Sequence, residues 1–383
     1  MSSPVLGRNS ALEAMLDEKP VWRVKTPAGD EAWLVIGYPE IRELLLDRRL
    51  GRTHSDPDNA AQYVRAPIFH WIRSFAGKGD DYEAHARFRL LLAPYFTNRR
   101  MKGFRERVRS IVNSTLDGVL ASGPPVDLLV AFGYPVAAQV TYELLGVPES
   151  EWETVTGLVY GMSDLDDQHG ATANAQRLLG YLEDLAARKR VSPDGDVLSG
   201  MCAAGVSDAE AAMMMGVLLF AGNSVGPHIG NGMVRLLADA ELRQRVLDSP
   251  NVLPNAIEEL LRTANFGGSV QPHYALEDIE IGDVTMRRGE LVMLDFGLAN
   301  FDRRAFDDPA RVDFDRAPNP HITFARGAWH CIGAPLARME LQEAFSALLT
   351  QLPNLRLTVS VQELNNANSN RLSSSLAAVP VTW

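Results

Sequence analysis

Cysteine is scarce in this chain. Its 383 residues include only two cysteines, Cys202 and Cys331. Two cysteines exclude a disulfide framework, and no cysteine pair or histidine–cysteine cluster has the spacing of a structural zinc site. Cys202 lies in the small apolar run Gly-Met-Cys-Ala-Ala, which predicts an unreactive core residue. Cys331 is therefore the cysteine whose surroundings need a chemical explanation.

The sequence also has relatively few basic residues and few long apolar runs. Acidic residues outnumber basic ones by 48 to 37, for a net charge of −11, which argues against nucleic acid or an anionic membrane as a partner. The N-terminus lacks the apolar run of a signal peptide, and we expect no stretch to span a bilayer. Hydrophobic residues make up 46%, and no linker or repeat interrupts the chain. We therefore expect a cytoplasmic protein folded as one domain over residues 1–383.

Helical periodicity dominates the chain from about residue 80 to residue 349. Ser207 and Glu210 resemble a capping box that opens a helix over residues 211–237, which is apolar all round and so predicted to be buried. Other segments predict helices over 41–50, 255–262 and 334–352, a hairpin of 21–24 with 32–36, and strands over 279–284, 290–294 and 376–383. The expected fold class is mainly α with small β-sheets, α+β.

The segment around Cys331 has the features of a loop that holds a thiolate. It spans residues 324–333 and ends where a helix is predicted to begin. A cysteine at a helix N-terminus meets free N–H groups and the positive end of the helix dipole, and both stabilise thiolate over thiol. Gly327 and Gly333 permit tight backbone turns, and Phe324 can shield a metal-bound sulfur. These are the requirements of an electron-rich axial ligand, although a buried free cysteine is the alternative for Cys331 taken alone.

This loop resembles the haem-binding signature of the cytochrome P450 family, which reads Phe, Gly, any, Gly, any, His or Arg, any, Cys, any, Gly. The matching positions are Phe324, Gly327, Cys331 and Gly333. Ala325 stands at the first glycine, and Trp329 stands at the His or Arg. The resemblance covers nearly the whole chain and is to the soluble bacterial type. It implies the cytochrome P450 fold, with haem b between a long distal helix and the helix after the cysteine loop, and Cys331 as the iron ligand.

The resemblance extends to a carboxylate–guanidinium pair. Glu259 and Arg262 match the family's Glu-x-x-Arg, and Arg316 fits the later arginine that joins it. Residues three apart share one helix face, and a bidentate pair there is a geometrically defined link. The resemblance implies a structural role, in which these residues lock the cysteine loop.

Other positions resemble the family's contacts with the haem propionates. His85 and Arg89 match its propionate helix, and His273 falls where the family often has a further arginine. Trp329 departs from the His or Arg of the signature, because an indole N–H donates one hydrogen bond but brings no charge. We expect the haem to be held through His85, Arg89 and His273, with an ordinary surface charge as the alternative for each.

The segment that resembles the distal helix lacks an acid. The family pattern is Ala/Gly-Gly-x-Asp/Glu-Thr, in which acid and alcohol deliver protons. If Ala221 and Gly222 match its start, the acid position is Ser224 and the threonine position is Val225. In the other register, Asn223 takes the acid position and Ser224 the threonine position. The segment is one residue shorter than the family's spacing, so both registers cannot hold, and Asn223 and Ser224 are the candidate catalytic residues.

The resemblance implies an oxidase or monooxygenase that tailors a natural-product intermediate by hydroxylation or a related oxidation. The missing acid leaves two alternatives open. One is a haem-thiolate enzyme that performs redox-neutral cyclisation or dehydration, oxidative coupling or a peroxide-driven reaction. The other is a haem-binding partner protein without activity. The residues expected to line the substrate site are Phe220, Val225, Val270 and Arg371.

Partners follow from the same resemblance. Since the chain contains no flavin or ferredoxin module, an oxidative reaction needs electrons from NAD(P)H through an external ferredoxin and its reductase. A basic patch on the proximal face would steer an acidic ferredoxin. Its candidate members are Arg99, Arg100, Lys102, Arg105, Arg326 and Arg338. We expect a small-molecule substrate, no nucleic acid, no membrane and a monomeric protein.

Overall fold

Helices form most of the described chain. The computed structural model describes residues 10–74, 81–264, 270–366 and 376–383. The helices are α1 (Ser10–Glu18), α2 (Tyr38–Leu44), α3 (Pro67–Ser74), α4 (Asp81–Leu92), α5 (Asn98–Ser122), α6 (Tyr134–Leu145), α7 (Trp152–Gly161), α8 (Gln168–Val191), α9 (Val197–Ala203), α10 (Asp208–Gly222), α11 (Val225–Ala238), α12 (Ala240–Asp248), α13 (Leu253–Thr263), α14 (Phe296–Ala299), α15 (Ala334–Gln351) and α16 (Val361–Asn366).

The strands form three small sheets. They are β1 (Val21–Lys25), β2 (Glu31–Val35), β3 (Leu50–Gly51), β4 (Val126–Asp127), β5 (Val270–Ala275), β6 (Ile279–Ile281), β7 (Val284–Met286), β8 (Leu291–Asp295), β9 (Arg356–Leu357) and β10 (Pro380–Thr382). The sheet orders are β1-β2-β8-β5-β3, β4-β10-β9 and β6-β7. The mainly α fold with small sheets agrees with the sequence prediction.

Several predicted elements have other boundaries in the structure. The predicted hairpin is present, since β1 and β2 pair antiparallel with Val21 opposite Val35. The helix predicted over 41–50 is α2 instead, and Leu50 begins β3. The strand predicted over 279–284 is the hairpin β6–β7, because Gly282 at φ 56° turns the chain back. The strand predicted over 376–383 is limited to β10.

The predicted helix over 211–237 is interrupted. Its start is as expected, since the Ser207 Oγ accepts a hydrogen bond from the Glu210 backbone N at 3.3 Å. The helix ends at Gly222, and α11 begins at Val225, so α10 and α11 replace one continuous helix. At the junction the bonds tighten to i→i−3, with the Ser224 N donating to the Ala221 O at 3.2 Å. The segment is one residue shorter than the spacing of the family's bulged helix, and the tighter i→i−3 hydrogen bonds accommodate this.

Glycines on one face of α10 and α11 allow close packing against α6 and the π-helical turn Leu129–Gly133. A Cβ on Gly222 would lie 2.2 Å from the Thr141 Oγ1, and one on Gly226 would lie 3.0 Å from the Gly133 O. A Cβ on Gly230 would meet Leu129 at 2.4 Å. These glycines lie four residues apart and therefore share one helix face. The distal helix is held against its neighbours by this face.

The run Asp208–Ala238 corrects the expectation that no stretch is long enough to cross a membrane. It has 31 residues and a mean hydropathy of 1.3, which meets the requirement by length and composition. Half of its apolar window is buried inside the protein. A core helix that is apolar all round has this composition too, and α10 and α11 both contribute to the main hydrophobic core.

Candidate active site around Cys331

Two residues in left-handed conformations shape the loop before α15. Gly327 has φ 63°, and a Cβ there would lie 2.9 Å from the Leu46 Cδ2. Ala325, which stands at the family's first glycine, has φ 55°. An L-residue with a Cβ is strained in this region, so Ala325 is tolerated rather than favoured there. The Cys331 N closes the loop by donating to the Phe324 O at 2.8 Å.

The Cys331 sulfur lies in a recess at the start of α15. Cys331 is exposed by its accessible area, yet burial among the surrounding atoms raises the pKa of its thiol. Hydrogen bonds from the backbone N–H groups of Gly333 and Ala334 and the positive charges of Arg52 and Arg89 oppose that rise. The predicted helix N-terminus is therefore present and directs N–H groups at the sulfur.

His85 and Arg89 connect α4 to the cysteine loop. The His85 Nε2 lies 3.0 Å from the Ala328 O, and an Arg89 Nη1 donates to the His330 O at 2.5 Å. Burial, with a smaller contribution from the charge of Arg52, lowers the pKa of His85 to about 4. His85 is thus neutral at pH 7 in the protein, and Arg89 is the member of the pair that carries charge.

Trp329 lies in the apolar core beside the loop. It is 4% exposed and packs with its ring 4.5 Å from that of His85 and 5.2 Å from that of Tyr82, centroid to centroid. The His273 ring stands 5.9 Å away at 82°. A wholly buried indole in an aromatic cluster fixes the position of its neighbours by packing.

His273 is a buried and uncharged residue of β5. It is 0% exposed, its Nδ1 lies 3.1 Å from the Gln271 O, and its Nε2 has no hydrogen-bond partner among the described residues. Burial, helped by the charge of Arg52, lowers its pKa to about 3. Where the family often has an arginine, this chain has a neutral ring with an unpaired nitrogen.

Arg52 is a site residue that the sequence interpretation missed. Its guanidinium carbon lies 5.4 Å from the Trp329 ring centroid, and its charge acts on His85, His273 and Cys331. The residue follows the two-residue strand β3, about 280 positions before the cysteine. No local pattern signals its approach, because the pairing of β3 with β5 brings it there.

The structure brings Glu259, Arg262 and Arg316 together. The Arg262 Nε and Nη2 donate to the two Glu259 carboxylate oxygens at 2.8 and 2.7 Å, and both side chains are at most 1% exposed. The Arg316 Nε donates to the Glu259 Oε1 at 3.2 Å. An Arg262 Nη1 also donates to the Asn300 and Pro309 carbonyls. All groups of this buried pair are hydrogen-bonded, which is the condition for its stability.

A second ion pair fastens α13 to α15. The Arg338 guanidinium donates to the two Glu258 oxygens at 2.6 and 2.8 Å, and the His321 Nε2 lies 3.0 Å from the Glu258 Oε2. Burial acts to raise the pKa of Glu258, but the hydrogen bonds and charges of Arg338 and His321 lower it to about 2. The Arg338 guanidinium also lies 4.6 Å from the Phe324 ring centroid. Glu258, next to the Glu-x-x-Arg pair, is thus linked through Arg338 to the cysteine loop.

An accessible stripe runs along the otherwise buried distal helices. Its members are the partly exposed Val217, Ala221, Ser224 and His228, which are spaced by three or four residues. Asn223 is 6% exposed, its Oδ1 has no hydrogen-bond partner among the described residues, and Val225 is equally buried. Ser224 is therefore the one hydroxyl of the junction and is partly exposed, whereas Val225 at the alternative threonine position is buried.

Three of the four predicted substrate residues fall in the described part of the chain. Phe220 and Val270 are partly exposed, on α10 and β5, while Val225 is buried. Arg371 lies outside the described residues. His228 was not predicted, and burial lowers its pKa to about 4, with a contribution from His321. It joins Ser224 on the accessible stripe as a neutral imidazole at pH 7.

The predicted basic patch is smaller than its sequence suggested. An Arg105 Nη1 lies 2.6 Å from the Glu343 Oε1, and Arg338 pairs with Glu258. An Arg100 Nη2 donates to the Gly195 O. Among the described residues, the exposed cations of the patch without an ion pair are Arg99, Arg100, Lys102 and Arg326, and of these only Arg100 makes a side-chain hydrogen bond.

Comparison with known proteins agrees with this site. A family model described as cytochrome P450 matches residues 233–374. The mycinamicin IV hydroxylase/epoxidase of Micromonospora griseorubida is 34% identical over 381 residues, which cover 96% of this chain and 93% of that protein. The chain belongs to the cytochrome P450 family. The whole fold agrees too, since the crystal structure of substrate-free PimD, a P450 that epoxidises the polyene macrolide pimaricin, matches with a TM-score of 0.90.

Further relatives give the same P450 identity. PimD is 42% identical, with 100% of this chain and 97% of that chain covered. Pentalenolactone synthase of Streptomyces exfoliatus is 35% identical over 391 residues, which cover 99% of this chain and 97% of that protein. These relatives are natural-product tailoring P450s, as the sequence predicted for this chain. The soluble bacterial type and the P450 fold are confirmed.

The residues present fit the haem that this P450 family implies. Cys331 offers its sulfur from a recess with N–H groups behind it, and buried nitrogens of His273 and Arg52 lack protein partners. Cys331 would ligate the iron, and His85, Arg89 and His273 stay the predicted propionate contacts. A thiolate-ligated haem iron supplies dioxygen binding and cleavage.

Proposed function

We propose that this P450 inserts one oxygen atom from dioxygen into a macrolide-type natural-product intermediate, by hydroxylation or epoxidation of an alkene. The observation that carries the proposal is a Cys331 loop of P450 type in a chain that aligns over nearly its full length with a mycinamicin IV hydroxylase/epoxidase and with PimD, an epoxidase of the polyene macrolide pimaricin. One oxygen atom enters the substrate and the other leaves as water, with electrons taken from NAD(P)H. The protein acts in the cytoplasm, as one domain and one monomer.

The substrate would lie against the accessible stripe of α10 and α11. Phe220 and Val270 are partly exposed and would offer apolar contact to it, and Val217 and Ala221 offer a small apolar surface. Such walls suit a large ring with few charges. Asn223 lies beneath this surface, with its amide oxygen buried and without a hydrogen-bond partner among the described residues.

Ser224 is the proposed proton-delivery residue. It is the partly exposed hydroxyl of the junction, and a hydroxyl both accepts and donates a proton-carrying hydrogen bond. His228 lies one turn further along the same stripe and can exchange a proton with ordered water as a neutral imidazole. This arrangement takes the place of the acid that the segment lacks.

The test uses the purified holoprotein with a ferredoxin, a reductase, NADPH, labelled dioxygen and a panel of macrolactones. The wild type is expected to incorporate one labelled oxygen atom per product molecule. Ser224→Ala is expected to form roughly tenfold less product per NADPH consumed, with hydrogen peroxide released instead, while Ser224→Thr retains coupling.

Two results would oppose the proposal. A product without labelled oxygen, formed equally well without dioxygen, would favour the redox-neutral alternative. Unchanged coupling in Ser224→Ala would remove Ser224 from proton delivery and leave the oxygen insertion itself intact.

Electrons are proposed to arrive from an acidic ferredoxin on the proximal face. The docking surface is defined here as Arg99, Lys102 and Arg326, the exposed cations of the basic patch with neither an ion pair nor a side-chain hydrogen bond among the described residues. Free surface cations steer an acidic partner, whereas paired ones have much of their field cancelled.

A further inference from the structure

Arg52 is a cation at the cysteine loop whose position is fixed by the sheet. In β3, Leu50 pairs with Ala275 and Gly51 with Tyr274, so the next position along the chain lies beside His273. The Arg52 backbone N donates to the Asp81 Oδ2 at 2.6 Å. A Cβ on Gly51 would lie 2.3 Å from the same carboxylate oxygen, so glycine there is needed for the contact.

The Arg52 guanidinium has no protein counterion in hydrogen-bond contact. No ion pair among the described residues includes it, and its Nε is buried without a hydrogen-bond partner. Asp81 is the nearest carboxylate that acts on it, but Asp81 accepts from backbone N–H groups of Arg52 and Thr53. A partly buried guanidinium whose Nε is fully buried and which has no bonded anion is unfavourable, which indicates that a further anion completes this site.

The charges around the loop indicate where that anion lies. The two positions at which the family has cations hold Trp329 and His273, which carry no charge at pH 7. His85 is also neutral, so Arg52 and Arg89 are the remaining cations that act on Cys331. The guanidinium faces the Trp329 ring at 5.4 Å, and an aromatic face holds a guanidinium in a fixed plane.

We propose that Arg52 binds a haem propionate and supplies, from the N-terminal part of the chain, the positive charge that Trp329 does not bring. Trp329 positions the guanidinium, and the neutral His273, whose Nδ1 donates to the Gln271 O, presents its unpaired Nε2 as an acceptor at the edge of the same site. This inference rests on the haem binding that family membership implies and does not depend on the proposed substrate.

The test measures the rate at which the ferric holoprotein loses haem to an excess of apomyoglobin. Arg52→Gln keeps most of the side-chain volume and removes the charge. Haem loss is expected to accelerate by roughly ten- to a hundredfold, the range for loss of a charge-assisted hydrogen bond. The reduction potential of the haem should become more negative, because a positive charge near the iron has been removed.

Arg48→Gln is the matched control. Arg48 is exposed, lies on the same segment, and stacks on Tyr82 at 5.3 Å from the ring centroid. It also changes the net charge by one. Its haem-loss rate and potential should equal those of the wild type.

A propionate role is separated from a packing role by haem dimethyl ester, whose propionates carry no charge. Wild type and Arg52→Gln reconstituted with the ester should lose it at the same rate. If Arg52→Gln accelerates the loss of both cofactors equally, the residue acts only by packing on Trp329, and the proposal is wrong. Arg52→Lys keeps the charge and is used if Arg52→Gln does not fold. It should lose haem more slowly than any uncharged variant. Loss of native haem at the wild-type rate in the uncharged variant would overturn the proposal.

Discussion

At the scale of single residues, the cysteine loop combines a strained alanine with a necessary glycine. Ala325 and Gly327 both have positive φ angles, but Gly327 also lies against Leu46. The sequence comparison identified Ala325 as a departure from the family signature. It could not reveal the left-handed conformation that gives the departure an energetic meaning.

Opposite substitutions at these two positions should have opposite effects on stability. Ala325→Gly is expected to raise the free energy of unfolding by up to about 1 kcal/mol, since it relieves left-handed strain. Gly327→Ala should lower it by about 1–2 kcal/mol, because it adds strain and a close contact with Leu46. Denaturant unfolding of the holoprotein measures both. A loss of stability in Ala325→Gly would show that the alanine methyl makes contacts that outweigh its strain.

Glu258 predicts a dependence of stability on acidic pH. Its pKa in the folded protein is about 2, below the ordinary value of 4.5. The unfolded chain therefore binds a proton more readily, and the contribution of Glu258 to stability is complete above about pH 4.5 and lost as the pH falls towards 2.

Glu258→Gln should consequently lose less stability than the wild type when the pH is lowered from 4.5 towards 3. Unfolding by denaturant at a series of pH values measures the slope. The control is Glu277→Gln, which removes an exposed carboxylate without an ion pair among the described residues and should retain the wild-type slope. Equal slopes for all three proteins would mean that the contact with Arg338 does not bind the charged carboxylate preferentially.

At the scale of elements, the distal helix shows which features sequence periodicity can and cannot predict. The capping residue Ser207 and the apolar character of 211–237 correctly predicted a buried helix. The break at Asn223–Ser224 was not predicted. Both residues keep the φ and ψ signs of a helix, and the break consists only in backbone hydrogen bonds that run i→i−3 instead of i→i−4. The short segment was visible in the sequence, but its effect depends on the packing that clamps both ends.

Gly226 is expected to be essential to that packing. Gly226→Ala would place a methyl 2.9 Å from the Tyr134 ring and 3.0 Å from the Gly133 carbonyl, which belongs to the backbone and cannot rotate away. Thermal unfolding should reveal a loss of about 1–3 kcal/mol, the usual cost of overpacking. Gly118→Ala, inside α5 with open space around its Cβ, should instead be neutral or gain up to about 1 kcal/mol. Equal effects in both variants would contradict the close approach of α11 to the turn before α6.

The residues of the site likewise divide into those that the sequence predicts and those that only the structure reveals. Cys331, the Glu-x-x-Arg pair and the position of α15 follow from short motifs, which a sequence carries in order. Arg52 reaches the loop through strand pairing, and His228 joins the open stripe through helix packing, so no local pattern marks either of them. Trp329 was recognised as a departure, but only the structure places a guanidinium on its face.

At the scale of the whole molecule, the proposed acidic ferredoxin requires a local cationic surface on a protein whose net charge is −11. Lys102→Glu, within the docking surface, is expected to raise the KM for ferredoxin and to weaken its dependence on ionic strength, with kcat at saturating ferredoxin little changed. Steady-state turnover at low and high salt measures this. Lys25→Glu changes the net charge equally but lies in β1, and should behave as the wild type. If both variants raise KM equally, only net charge matters and the docking surface lies elsewhere.

The central claim is that this P450 adds oxygen to a natural-product intermediate through Cys331. Its most direct test is deletion of the gene in the native host, followed by mass measurement of the intermediate that accumulates and of the finished product. The intermediate is predicted to lack one oxygen atom of the product, and complementation with the wild-type gene, but not with Cys331→Ser, to restore that atom. Equal masses, a difference of one water, or full restoration by Cys331→Ser would contradict the claim.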